Sequence, residues 1–569
     1  MSAAAGPWVS DGVVDLLVEA GIEHAAFNPG ASFRGLHDSL VHHRPDGPVP
    51  LLCLHEGVAV AVAHGYAKAS GRPMTAVVHD VVGLQHASMA IYNAWCDRVP
   101  ILVLGGTGPV SAPHRRPWID WIHTALVQGT QVRDYVKWDD QPADAPSIPR
   151  SLARAVTLSR AAPAGPVYVC LDAGLQEDPL PAGFDWEGMA AHPVPRPPAP
   201  AAEDVEAMAA LLRDAGHPLI ATDFTGDDPE AFTALVELAE LTGVPVLDCG
   251  ARLNFPTSHP LNATHDPDTV RRADAVLGLD VDDFDGALRR TAATSAIHAG
   301  LGHLRVRGWS SDFQELPSLD RHVTAAAGTT IRALLEILRA APVSADVLTA
   351  RRARLDDRAG AQLDRAREEA MSQSADGAIP VPRLLAELWP LIAERDVTVV
   401  HGEPPPWGHE RRMWALDKPR RHLGSAAGGG LGDGPGHAIG AALALREEAT
   451  LCVNLQPDGD LLFTPSALWT AVHARLPLLT LVLDNREYRN TVDHAQRLGE
   501  ARARPAGSRR VGAVIDDPPI DHASMARSMG MWATGPICAP EEIPTALAGA
   551  LEEIDAGRPA LIHVLTPRG

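Results

Sequence analysis

ATLCVNLQPDGDLLFTPSALWTAVHARLPLLTLVLDN, residues 449–485, contains two apolar runs that end in acidic or amide residues, with a helix-like stretch between them. ATLCVNLQ (449–456) and PLLTLVLDN (477–485) have the length and Val/Leu content of buried strands, and FTPSALWTAVHARL supplies the crossover. A strand, a crossover helix and a second strand make a parallel pair, because the crossover returns the chain to the starting edge of the sheet. Asp458 then stands at the tip of the first strand and Asn485 at the tip of the second, 27 positions later. A carboxylate and a carboxamide so placed can share a magnesium ion, a hard cation that takes oxygen ligands. Taken alone, the two residues read equally well as strand-end turn formers.

The same grammar runs through the rest of the chain. TAVVHD (75–80), PILVLGG (100–106), PVYVCLD (166–172), PLIATDF (218–224), AVLGLDV (275–281) and TVVHGE (398–403) are short apolar runs separated by helical stretches. This alternation predicts an α/β protein of doubly wound domains with mostly parallel sheets, and functional groups gathered at the carboxyl ends of the strands. At 569 residues the chain exceeds one core. The Pro- and Ala-rich AAHPVPRPPAPAAED (190–204) reads as an extended linker, and ARRARLDDRAGAQLDRAREEA (350–370), polar nearly all round, as an exposed connecting helix. Three units follow: 1–188, 200–342 and 376–569.

Composition excludes several functions. Hydrophobic residues make up 46% and charged residues 21%, and the formal charge is −22. Such an acidic surface does not suit nucleic acid, whose phosphates demand clustered Lys and Arg. No run reaches the length of a membrane span and the start of the chain has no signal-peptide pattern, so the expectation is a cytoplasmic protein away from membranes. Cys53, Cys96, Cys170, Cys249, Cys452 and Cys538 are scattered without metal or redox spacing and read as buried free thiols. The run Gly428-Gly429-Gly430-Leu431-Gly432 fits neither a dinucleotide fingerprint nor a P-loop.

In the first unit, LLCLHEGVAVAVAHGYAKASGRP (51–73) sets Glu56 at the end of a short strand and the mouth of a small-residue helix. With the 449–485 stretch and the glycine run followed by DGPGHAIGAAL, it resembles the thiamine-diphosphate-dependent enzymes of the acetolactate synthase and benzoylformate decarboxylase branch. That family writes its diphosphate motif as GDG and, after a spacer, NN. The resemblance covers nearly the whole chain, in the order pyrimidine-binding, central Rossmann-like and diphosphate-binding domain.

The resemblance implies thiamine diphosphate and Mg²⁺ as cofactors, with Asp458, the Asn485 side chain and the Glu487 carbonyl as metal ligands. It puts Gly459 and Asp460 at the diphosphate, Leu431 beneath the folded cofactor with Gly430 beside it, and Asn28, Pro29, Gly30, Gly83, Gly402 and Glu403 along the cofactor. Glu56 is implied as the carboxyl that favours the imino form of the aminopyrimidine, whose nitrogen then generates the ylid. The implied reaction makes or breaks a carbon–carbon bond next to a carbonyl, through an enamine, as in acetolactate synthases and 2-oxo acid decarboxylases. Cleavage of a 2-hydroxy ketone or 2-hydroxyacyl-CoA, and an inactive cofactor-binding homologue, are the alternatives. Sites are shared between subunits in this family, which implies a homodimer or homotetramer.

Two departures bear on cofactor affinity: Pro457 replaces the first glycine of GDG and Asp484 the first asparagine of NN. His79 falls where the decarboxylase has an active-site histidine and His86 where it has asparagine. Ala31 takes the place of a serine proton donor. His79 and His123 are catalytic candidates, with plain structural hydrogen bonding the other reading of His79; His437 points either into the site or into the core. Trp118 and Trp121 read as packing residues. The central domain binds FAD or an ADP moiety in some relatives and is structural in others, and nothing in its sequence selects the nucleotide.

Overall fold

The computed structural model describes residues 7–186, 188–189, 192–304, 314–355, 358–402, 408–425 and 427–568. Its strands are β1 (His24–Phe27), β2 (Val49–Leu52), β3 (Met74–Val78), β4 (Ile101–Thr107), β5 (Asp139–Asp140), β6 (Val167–Asp172), β7 (Pro218–Thr222), β8 (Val246–Asp248), β9 (Ala275–Leu279), β10 (Ser295–Gly300), β11 (Arg321–Thr324), β12 (Val397–His401), β13 (Leu451–Pro457), β14 (Leu478–Asp484), β15 (Trp532–Ile537) and β16 (Ala560–Leu565). They form three sheets, ordered β2-β1-β3-β4-β6-β5, β11-β10-β9-β7-β8 and β12-β13-β14-β16-β15. Every ladder is parallel. All eight quoted apolar runs fall on strands. Parallel strands are covered on both faces, so they read as unbroken apolar stretches.

The first and middle sheets share the doubly wound order second-first-third-fourth, in which the chain reverses direction between the first strand and the third. That reversal leaves a crevice at the carboxyl ends of β1 and β3, and of β7 and β9, where ligands collect in such folds. In the last sheet β13 and β14 are neighbours in register, Pro457 opposite Leu483, which brings the Asp458 and Asn485 ends together.

The first and last units share one hydrophobic cluster. Its centre is the helix Glu56–Ser70 packed on the helix Gly434–Ala444. The backbones come so close that a Cβ on Gly65 would sit 1.9 Å from the His437 carbonyl oxygen, and one on Gly440 1.9 Å from that of Val62. Buried ion pairs bind the middle unit to this core: Arg98 to Asp280 and Asp282, Arg252 to Asp97 at 2.8 Å, and Arg411 to Asp248 at 2.5 Å.

Three local expectations change. FTPSALWTAVHARL is helical as read but only over Ala467–His473, and a separate turn of helix, Asp458–Leu461, precedes it. The 350–370 stretch forms the helices Ala345–Leu355 and Arg358–Met371, and the second buries Leu363 and Ala370, so it is a packed element rather than a solvated connector. The Pro-rich 192–201 stretch is extended as read, yet Pro198 is pinned to the middle unit by the Ala326 N–H and the Thr329 hydroxyl. No helix among the described residues is long and apolar enough to cross a membrane. Of the cysteines, all free, four are buried and Cys249 and Cys538 partly so.

Candidate active site

Glu56 begins the helix that follows β2 and is 5% exposed. His86 Nδ1 lies 3.2 Å from its Oε2, and the His86 ring stacks on His55 with centroids 4.9 Å apart. Gly83 makes room for this carboxyl, since a Cβ there would lie 3.0 Å from Glu56 Oε1. His86, nearly two turns into the helix that follows β3, is thus a direct neighbour of Glu56.

The turn after β1 and the turn after β3 meet at the crevice. Asn28, Pro29 and Gly30 follow β1, and Gly30 passes so close to His79 that a Cβ would be 2.5 Å from its side chain. Ser32 is fully buried, with Oγ 2.9 Å from His79 Nδ1 and accepting the Asp80 N–H at 3.2 Å. A hydroxyl therefore does stand beside the histidine, one residue after Ala31.

Asp80 went unnoticed in the sequence. Its backbone is left-handed, at φ +41°, and its carboxyl is 1% exposed. Asp80 Oδ2 lies 3.5 Å from His79 and 4.0 Å from His123, while Oδ1 has no hydrogen-bond partner among the described residues. Burial pushes the carboxyl up to about 6, against weaker opposing pulls from the Ser32 hydroxyl, His123 and Arg116. The same burial, together with His123, pushes His79 down. His123 Nδ1 is likewise buried and without a partner among the described residues. A serine, two imidazoles and a carboxyl that burial raises stand together here, groups of the kind that exchange protons.

Trp118 and Trp121 are not packing residues within the chain. They are 61% and 73% exposed, because the short helix Ile119–His123 turns one side to Asp80 and no element among the described residues covers its outer side. His437 is fully buried, stacked on His64 at 4.9 Å in the helix–helix seam. It therefore takes the core role.

At the other end, Asp458 begins a helical turn after β13 and accepts the Arg486 N–H at 3.0 Å, while Asn485 Oδ1 accepts the Glu487 N–H at 2.9 Å. Burial and the neighbouring Asp484 carboxyl push Asp458 up. Gly459 packs against Tyr488, where a Cβ would lie 2.8 Å from the ring. Asp460 is engaged within the chain: it accepts the Gly432 N–H and the Gln456 amide, both at 2.7 Å, and so fixes the glycine turn. Asn93 bonds both the N–H and the carbonyl of Gly430 at 3.1 Å, which leaves Leu431 47% exposed at the tip of the turn. Gly402, after β12, sits against the buried His422–Glu410 pair. Glu403 lies outside the described residues.

The N-terminal TPP binding domain of thiamine pyrophosphate enzymes matches residues 7–130, and their C-terminal TPP binding domain matches residues 402–564. The chain belongs to the thiamine pyrophosphate enzymes. Benzoylformate decarboxylase of Pseudomonas aeruginosa is 27% identical over 91% of each chain. The large subunit of acetolactate synthase isozyme 3 from Escherichia coli is 24% identical over 83% of this chain and 81% of its own. Among solved structures, the thiamine diphosphate-dependent 4-hydroxybenzoylformate decarboxylase of Rhodococcus jostii superposes with a TM-score of 0.79 at 22% identity, over 99% of this chain and 100% of its own.

The residues of this thiamine pyrophosphate enzyme suit the cofactor at both ends. Two carboxyls crowd at Asp458 and Asp484, and a dication beside them would favour the ionised Asp458 that such an ion needs. A buried carboxyl in a cleft of apolar and imidazole groups is the environment a neutral ring requires at Glu56.

Proposed function

We propose that the chain is a 2-oxo acid decarboxylase or carboligase whose thiamine diphosphate is held through Mg²⁺ by Asp458, Asn485 and the Glu487 main chain, with Glu56 at the pyrimidine end. Support comes from the names of its relatives and above all from one juxtaposition, the buried Glu56 carboxyl beside the Ser32, His79, Asp80 and His123 set. The bound cofactor would supply an electron sink for the pair left when carbon dioxide departs. His79 is placed to hold a proton over the reacting centre, steadied by Ser32 at Nδ1, and Asp80 and His123 to exchange protons with it.

A second copy of the chain completes the site in this reading. Trp118, Trp121, Ile122 and Leu126 are exposed along the stretch bordering Asp80, as are Met89, Leu431 and Phe463 on the side of the glycine turn. Apolar groups in such numbers next to a cleft suit a partner subunit better than water.

Glu56→Gln tests the proposal. The variant is expected to retain Mg²⁺-dependent cofactor binding, read by calorimetry, and to lose about 10²–10⁴-fold in carbon dioxide release from pyruvate or benzoylformate. An unchanged rate removes Glu56 from the chemistry; release of aldehyde from an acyloin without carbon dioxide from either acid replaces decarboxylation with simple cleavage.

A further inference from the structure

Three clusters of histidine and carboxylate have ligand atoms close enough to share an ion: His55, Glu56 and His86; His79, Asp80 and His123; and Asp484, His522 and His563. The first two open on the cleft and contain groups assigned to the reaction. The third is wholly buried, and its two histidines serve no step of it.

We propose that Asp484, His522 and His563 form a second metal site, distinct from the Asp458 and Asn485 pair, which takes a divalent transition ion of the zinc type. The three residues come from separate elements, the end of β14, the start of the helix His522–Ser528 and the middle of β16. Each is only 1–2% exposed, and their ligand atoms all lie within 4.8 Å of one another. His563 Nε2 is 2.8 Å from Asp484 Oδ2, and the His522 and His563 rings meet edge to face with centroids 5.0 Å apart.

Neither His522 Nδ1 nor His563 Nδ1 has a hydrogen-bond partner among the described residues, although both are buried. An unsatisfied buried polar atom is costly, so two in one cluster call for an account. A hydrogen-bonded Asp484–His563 pair alone leaves His522 unexplained. A metal ion would take one nitrogen from each ring together with the carboxylate. Two imidazoles and one carboxylate are the donors of zinc and ferrous sites, whereas magnesium prefers oxygen alone. The ion would tie the end of β14 and the middle of β16 to the helix at His522, directly behind the loop bearing Asn485 and Glu487.

The experiment uses the whole protein, stripped with a chelator and reloaded with Mg²⁺ and thiamine diphosphate so that the diphosphate site is filled. Co²⁺ is then titrated as a visible-spectrum probe and displaced with Zn²⁺. One Co²⁺ per chain with d–d bands that Zn²⁺ abolishes is expected. His522→Phe, which keeps an aromatic ring in the same space, is expected to weaken Co²⁺ binding about 10-fold or more while leaving Mg²⁺-dependent cofactor affinity unchanged. His563→Gln is expected to do the same to Co²⁺. Equal Co²⁺ binding by the parent and His522→Phe, or no bands at millimolar Co²⁺, overturns the site. His522→Phe alone decides the matter should His563→Gln not fold.

Discussion

Asp80 and Asp280 occupy equivalent places in two domains of the same strand order, and the chain uses them in opposite ways. Both follow the third strand of their sheets, and both have left-handed backbones, at φ +41° and +54°. Burial pushes each carboxyl up. At Asp280 the Arg98 guanidinium, 2.7 Å away, overcomes burial and holds the group below the usual carboxylate range, whereas at Asp80 the Ser32 hydroxyl, His123 and a more distant Arg116 do not offset burial and the group stays raised. One topology therefore gives a crevice closed by an interdomain ion pair in the middle unit and one left open for chemistry in the first.

The largest expected effect tests the closed crevice. Arg98 bonds Asp280 and Asp282, and its guanidinium lies 4.0 Å from the centre of the Phe224 ring. Arg98→Ala leaves two acids in a buried place without their cation, which should cost about 3–5 kcal/mol, read from the midpoint of urea unfolding at pH 7. Asp280 then behaves like Asp80, and the variant regains stability as the pH is lowered from 7 to 5. A loss below about 1 kcal/mol, or no regain in acid, would show that the pair does not close the crevice.

Asp80→Asn addresses the open crevice. With its carboxyl raised to about 6, the native chain holds a proton between that pH and the ordinary carboxylate value, where the unfolded chain has released it. Stability therefore falls as pH rises through this window, and above it the ionised Asp80 is a standing penalty. The neutral amide removes that penalty and should stabilise the protein at pH 8 by on the order of 2 kcal/mol, with little change near pH 4. The gain should come with slower turnover, since the site loses a titrating group. Stabilisation of equal size at both pH values would mean that Asp80 is not raised.

The difference between these aspartates marks how far the sequence could be read. Long apolar runs betrayed the central strands, and the strand tips of Asp458 and Asn485 followed from two runs and the crossover between them. Short or edge strands such as β5, β11 and β15 carry little of that pattern. His79-Asp80 looked like any strand end, because its character depends on a backbone angle and on His123, brought in by another turn. Asp484 read as an unwelcome charge, since its partner His563 is 79 residues away on a strand whose pairing no local signal announces. Ser32 was passed over for a similar reason. The sequence points to the residue at the expected position, Ala31, while the fold turns the next side chain toward His79.

Ser32 also provides the finest test of the comparison. The middle unit has its own buried hydroxyl after the first strand, Thr225, bonded to Thr222 at 2.6 Å, and among the described residues no titrating side chain bonds to either hydroxyl. Ser32→Ala and Thr225→Ala each delete one buried hydroxyl, and each should cost about 1 kcal/mol of stability. Only the first frees the ring nitrogen of His79 and leaves the Asp80 N–H without its acceptor. Turnover should therefore fall about fivefold in Ser32→Ala, the kinetic counterpart of roughly 1 kcal/mol, with KM little changed. Thr225→Ala should unfold more readily yet turn over at the parent rate. Equal kinetic losses in the two variants would mean that the middle crevice feeds the chemistry after all, and equal silence would mean that Ser32 holds His79 without steering its proton.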